Sequence, residues 1–150
     1  PIGAEERRLT FMVGGETAEV AALRPLFEAM GRRVFHLGPL GAGAQAKVLN
    51  NLLAASHTAM TRLVLEWAAA TGMDEARLLA VIAASSGQNW LASGIDEIEW
   101  ARKGHAPDNG IGILAKDVAA ALDAAPEGAD TRLPEAVRAA ILSLRSQGGD

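Results

Sequence analysis

The chain has 150 residues, 49% of them hydrophobic and 21% charged, with a formal net charge of -4. That profile belongs to a globular chain and not to a disordered one. Mild acidity argues against a dedicated nucleic-acid binder, which carries a basic stripe, and no long uncharged apolar run suggests a membrane span. Cysteine is absent, which removes disulfides, thiol nucleophiles and thiolate metal sites and fits a cytoplasmic protein.

Leu9-Thr10-Phe11-Met12-Val13, stopped by Gly14-Gly15, reads as a strand. Thr17 is placed to cap a helix over 18–30, with Gly31 as its stop. Val20, Leu23, Phe27 and Met30 recur at helical spacing, and Pro25 predicts a kink or split. Val34 to Leu37 reads as a second short strand. A strand–helix–strand opening of about 35 residues is a crossover unit that pairs parallel strands within a larger sheet. Two strands are too few for a stable sheet, so the opening reads as the tail of a domain whose start precedes Pro1-Ile2-Gly3.

From Ala44 to Thr71 neither Pro nor Gly interrupts the pattern, and Leu49, Leu52, Leu53, Met60, Leu63, Val64 and Trp67 form an apolar stripe. Such a helix of about 28 residues is ~42 Å long and suggests a central spine. Trp67 and Trp100 read as packing residues. Gly72 ends the spine, Asp74 caps a helix over 75–84, and Ser85-Ser86-Gly87 breaks the chain. A helix is expected over 90–102, a loop over 104–112, a helix over 113–124, and a last helix starting near Pro134. The fold class is therefore mainly α: a small β-α-β remnant over 1–40, then an all-helical region over 41–150.

Gly41-Ala42-Gly43-Ala44-Gln45-Ala46 matches G-x-G-x-x-A, a pattern that can wrap a dinucleotide pyrophosphate. That role needs a second strand after the helix, with an acidic residue about 20 residues on. The candidate, Glu66, falls mid-helix. The alternative is that the glycines turn the backbone sharply and bring the start of the long helix close to a ligand. Lys47 and Asn51 are spaced i, i+4, on one helical face. An ammonium beside an amide can pass a proton to or from a carbonyl oxygen and hold it. The same spacing also fits an exposed Lys and a polar Asn on a wet face, and spacing alone leaves both open. His36, His57 and His105 are too scattered for a metal constellation. Ser85 and Ser86 lack a neighbouring histidine base.

The stretch Gly41-Ala-Gly43-Ala-Gln-Ala-Lys47-Val-Leu-Asn50-Asn51 resembles the G-x-G-x-x-x-K-x-x-N-N signature of β-hydroxyacid dehydrogenases, the 3-hydroxyisobutyrate dehydrogenase-like members of the 6-phosphogluconate dehydrogenase superfamily. Leu9 to Gly15 resembles the last part of that family's cofactor domain, Ser85 to Trp90 its S-S-G-x-x-W loop, and Lys116-Asp117 its late K-D pair. The resemblance implies a Rossmann remnant over 1–40, lacking the family's true G-x-G-x-x-G and early substrate loop, and a helical substrate and dimerisation domain over 41–150. It implies hydride transfer between NAD or NADP and a small hydroxyacid. Lys47 would be the general acid/base, Asn51 would hold the reacting oxygen, Ser86 and Gly87 would line the substrate cleft, and Lys116 would approach the cofactor. It further implies a homodimer or higher homo-oligomer through the helical domain, with no nucleic acid, membrane or metal involved. Asn50 stands where phosphogluconate enzymes carry His, which argues against that sugar, and retained Lys47 argues against the imine-reductase branch. Asn109, Ile111 and Ile113 occupy a region where the family often has an aromatic residue. The fragment by itself is expected to be inactive. The rival reading is a non-catalytic helical dimerisation module.

Overall fold

The computed structural model describes residues 9–147 and forms two compact units, Pro1–Asn50 and Asn51–Asp150. In the first unit, strand β1 (Leu9–Val13) is followed by helix α1 (Thr17–Met30) and strand β2 (Gly31–His36). The strands pair in parallel, with Thr10 opposite Arg33 and Val13 opposite His36. Apolar residues on α1 cover this pair: Val20 is buried, and the Phe11 and Phe27 rings lie 5.2 Å apart.

For α1 the expected cap fails and no split occurs. Pro25 lies inside one continuous helix. Pro25 and Ala21, whose carbonyl loses its usual donor there, are both exposed, so water can satisfy the orphan group. Thr17 lies inside the helix instead of capping it. Glu16 takes the cap position and makes no side-chain cap bond. Gly31 does end α1, but in extended backbone. A Cβ there would stand 2.6 Å from the Leu9 carbonyl oxygen and 2.7 Å from the Phe11 ring.

The glycine stretch serves close packing. A Cβ on Gly43 would sit 2.3 Å from the Met12 carbonyl oxygen, and one on Gly14 would sit 2.5 Å from that of Pro39. The chain therefore passes from β2 into the long helix α2 (Ala42–Ala70) pressed against the end of β1. Gly41 makes the preceding turn at φ 93°, a conformation suited to glycine. Leu37 N–H donates to Val13 O and Gly15 N–H to Gly38 O, each at 2.9 Å. The ring Nε2 of His36 closes on Gly15 O at 2.8 Å.

Within the second unit, α2 is followed by α3 (Glu75–Ala84), α4 (Trp90–Gly94), α5 (Gly110–Asp123) and α6 (Arg132–Ser143). Asp74 caps α3 as expected, its carboxylate accepting from Arg77 N–H at 2.8 Å. Asn89 caps α4, and Asn109 caps α5 through Gly112 N–H at 2.9 Å. The helix expected over 90–102 stops at Gly94. Beyond it, isolated bonds from Ile98 N–H to Gly94 O and from Ala101 N–H to Ile98 O form successive turns. Arg102 then bonds Glu75 at 2.7 Å and Asp96 at 2.8 Å, and these two carboxylates hold its guanidinium pKa above the usual value. One core joins Ala55 of α2 to Ile111, Leu114, Ala115 and Val118 of α5 and Val137 and Ile141 of α6. A second gathers Leu65, Leu91, Ile95 and Ala101. Trp100 packs against both cores, its ring centroid 5.8 Å from that of Trp90 with the planes tilted by 55°.

The expected stripe of α2 is largely inverted. Its fully covered positions are Ala55, Thr58, Thr61, Arg62, Leu65 and Ala68, whereas Leu49, Leu53, Met60 and Trp67 are exposed. Trp67, expected in the core, is 65% exposed. Small residues let neighbouring segments approach the axis closely, and the hydroxyls satisfy themselves: Thr58 Oγ1 donates to Ala54 O at 3.0 Å.

Arg62, 2% exposed, ties this unit together. It donates to the carbonyls of Ala101 at 2.8 Å, Lys103 at 2.9 Å and Arg145. Burial, then the nearby charge of Arg102, lowers its pKa from the ordinary arginine value, while Glu66 acts in the opposite sense.

Gly43→Ala should cost about 1–3 kcal/mol, the range for forcing a methyl into a filled site, read as a fall in the urea midpoint. Arg62→Met should cost about 3 kcal/mol by leaving covered carbonyls without donors. Amide exchange in that variant should quicken first around 101–105 and 144–147.

Candidate functional site

Lys47 stands in the second turn of α2, within the first unit, and is exposed. Asn51 follows one turn later on the same helix and is half-buried. The continuous helix keeps the two on one face, so the spacing expected from sequence is realised in the backbone. An ammonium that must reach a substrate oxygen has to be accessible, and Lys47 is.

Ser86 and Gly87 lie in the exposed turn between α3 and α4. That turn is internally braced. Gln88 N–H donates to Ser85 O at 3.1 Å, and the Asn89 amide donates to Gly87 O at 3.0 Å. Asn89 Oδ1 accepts from Ala92 N–H at 3.0 Å and from the buried Thr61 hydroxyl of α2 at 3.3 Å. Thr61 lies ten positions beyond Asn51, which on a helix is about 15 Å along the axis. Asn51 and the turn are thus anchored at different levels of one spine.

Lys116 projects from α5, whose opposite side enters the core around Ala55, one turn beyond Asn51. It is exposed, and its ammonium donates to Pro107 O at 3.2 Å. The region without the expected aromatic is structural: Asn109 caps α5 and also donates to Gly104 O at 2.8 Å, and Ile111 is fully buried. Among the described residues no group of three or more His, Asp or Glu side chains could hold a metal ion. No helix among them is long and apolar enough to cross a membrane.

The glycine stretch does not fit a pyrophosphate cradle, because the space beside Gly43 is already taken by β1. Lys47 offers one accessible ammonium, and Asn51 an amide one turn farther along α2. Sequence reasoning missed Thr61, Asn89 and Arg62 as supports. Asn89 alone carried a legible signal, as a cap residue just before an apolar helix start.

The family described as NAD-binding of NADP-dependent 3-hydroxyisobutyrate dehydrogenase matches residues 41–150, and the NAD binding domain of 6-phosphogluconate dehydrogenase matches residues 1–38. The chain belongs to the 3-hydroxyisobutyrate dehydrogenase family. It is 38% identical over 135 residues to an NAD-dependent L-serine dehydrogenase of Pseudomonas aeruginosa, a match covering 86% of this chain and 45% of that protein. It is 36% identical over 126 residues to a 3-hydroxyisobutyrate dehydrogenase of the same organism, covering 80% and 42%. A solved structure of Mycobacterium tuberculosis 3-hydroxyisobutyrate dehydrogenase with L-serine superposes with a TM-score of 0.76 at 27% identity, covering 96% of this chain and 54% of that one. The chain spans less than half the length of these two curated relatives.

Asn89→Ala should remove the α4 cap and the Thr61 link together. A cap is worth about 1 kcal/mol, so the expected outcome is a modest loss of global stability. Amide exchange over 85–94 should accelerate selectively, while that over α5 and α6 should not.

Proposed function

We propose that this chain supplies the proton-handling and substrate-facing part of an NAD- or NADP-dependent hydroxyacid dehydrogenase. The observation that carries the reading is Lys47 and Asn51 one turn apart on α2, an accessible cation beside an amide, in a chain of this family. The cofactor, when bound, takes up or delivers the hydride at the carbon bearing the hydroxyl. In the oxidative direction Lys47, in its neutral form, accepts the hydroxyl proton as the carbonyl forms. In reduction its ammonium returns that proton to the nascent alkoxide. Asn51 donates its amide N–H to the same oxygen and fixes its position relative to Nζ. Ser86 Oγ and the backbone at Gly87 offer hydrogen bonds to the acid's carboxylate, and Lys116 offers a charge to the cofactor.

Residues 1–40 are assigned to the end of a nucleotide-binding domain and 41–150 to the helical substrate and dimerisation domain, as the limits of the two family matches support. The relatives named for L-serine and 3-hydroxyisobutyrate favour a small 3-hydroxyacid as substrate. A cytoplasmic location is the matching expectation. A homodimer is supported by the exposed stripe Leu49, Leu53, Met60 and Trp67, which falls on one side of α2 and invites cover from a second copy.

Lys47→Ala in the full-length protein should lower kcat by at least about a thousandfold, in the range general acid/base groups provide, with nicotinamide affinity nearly unchanged. Turnover surviving within a few-fold would remove the assigned role. A Leu53→Glu, Trp67→Glu double variant should convert the oligomer to monomer in light scattering. If the wild-type chain is already monomeric, the stripe has another use.

A further inference from the structure

A groove of about 840 Å³ runs between α2 and α6, wholly within the second unit. Its walls are largely apolar, with Met60 and Leu63 on one side and Leu133, Val137 and Ala140 on the other. Met60 and Leu133 are exposed. Trp67, also exposed, lies i+7 from Met60 and i+4 from Leu63, so it continues the α2 wall on the same helical face.

Two opposite charges border the groove, Glu66 from α2 and Arg145 from the chain just after α6. Both are exposed. Among the described residues neither side chain has an ion-pair partner, and the two do not pair with each other. The Arg145 backbone is fixed, since its carbonyl accepts from buried Arg62, so its guanidinium starts from a defined place on the rim. An apolar trough, an apolar knob beside it, one unpaired acid and one unpaired base make a surface complementary to itself. A two-fold axis sets each of these groups opposite its counterpart.

We infer that this groove seats a second copy of the chain in a two-fold dimer. Trp67 of each copy enters the groove of the other, and Glu66 of each pairs with the partner's Arg145. This rests on the homodimer proposed above and fixes the surface it uses. Tryptophan is a large anchor of the kind that fills pockets at interface centres. The two charge pairs lie at the rim, where such pairs set register and exclude wrong partners.

Light scattering and sedimentation of the full-length protein test this. Arg145→Glu sets two acids against each other in both symmetry-related pairs, and Glu66→Arg sets two bases. Each variant alone should self-associate at least about tenfold more weakly, since like charges face each other twice. Mixed in equal amounts, the two should form a heterodimer close to wild-type strength, because every acid of one chain then meets an arginine of the other. An effect confined to one chain does not produce that recovery. Glu66→Arg places its charge near buried Arg62 and can disturb the fold, so Leu133→Asp provides a second arm. Position 133 is 72% exposed in the single chain, so this variant should keep its helix content by circular dichroism and still dissociate at least about tenfold more readily. A dimer indifferent to Arg145→Glu and Leu133→Asp would overturn the groove as the seat and leave the dimer itself standing. A monomeric wild-type protein would overturn both, while the role of Lys47 is read separately, from turnover.

Discussion

The helical unit depends on one buried cation. Arg62 reaches from the spine α2 to the turn at 101–103 and to the chain just after α6, positions 39 to 83 residues away in sequence. The turn segment itself has no continuous helix to stiffen it. It is held by single-turn bonds, by the Arg102 pairs, and by an extended contact in which His105 N–H donates to Leu144 O and Gln147 N–H to Arg102 O, at 2.9 and 2.8 Å. Burial lowers the pKa of Arg62, but a guanidinium starts so high that it stays charged across the physiological range. The tie is therefore insensitive to pH, as a lysine or histidine in its place would not be.

That choice explains the character of α2. A helix that buries an arginine and two threonines needs thin neighbours around them, and Ala55 and Ala68 supply thinness on the same side. Apart from buried Leu65, most of the large apolar residues are left to the opposite side. A helix with apolar groups on both sides is incompletely covered by its own chain. Exposed Leu53, Met60 and Trp67 thus result from what the inner face has to accommodate and are not scattered surface residues of no account.

Most local signals in the sequence are dependable, the Thr17 cap excepted. Asp74 before an apolar run, Gly14-Gly15 after a strand and the uninterrupted stretch after Gly43 each placed an element to within two residues, because caps and breakers act through adjacent backbone groups. Lys47 and Asn51 were legible for the same reason, since i, i+4 spacing is a property of one helix. What failed was long-range. Periodicity identified the apolar residues of α2 but not which side the rest of the unit would cover, and that was decided by Arg62 finding carbonyls far along the chain. The helix expected over 90–102 ends at Gly94, beyond which the backbone bonds form single turns. Pro25 leaves α1 unbroken at a place where Pro25 and Ala21 are both exposed, a fact of tertiary environment and not of sequence.

The same spine carries the proposed proton-handling pair near its start and the buried cation farther along. A rigid helix is a good carrier for an acid/base group, because a shift of ~1 Å at a reacting atom can cost about a hundredfold in rate. Rigidity here has two sources that do not overlap: the glycine contact of Gly43 on β1 at one end, and the carbonyl clamp of Arg62 in the body of the second unit. Loss of the first leaves the clamp intact, and loss of the clamp leaves the glycine contact intact. Neither can substitute for the other, since one fixes where α2 starts and the other fixes what surrounds it.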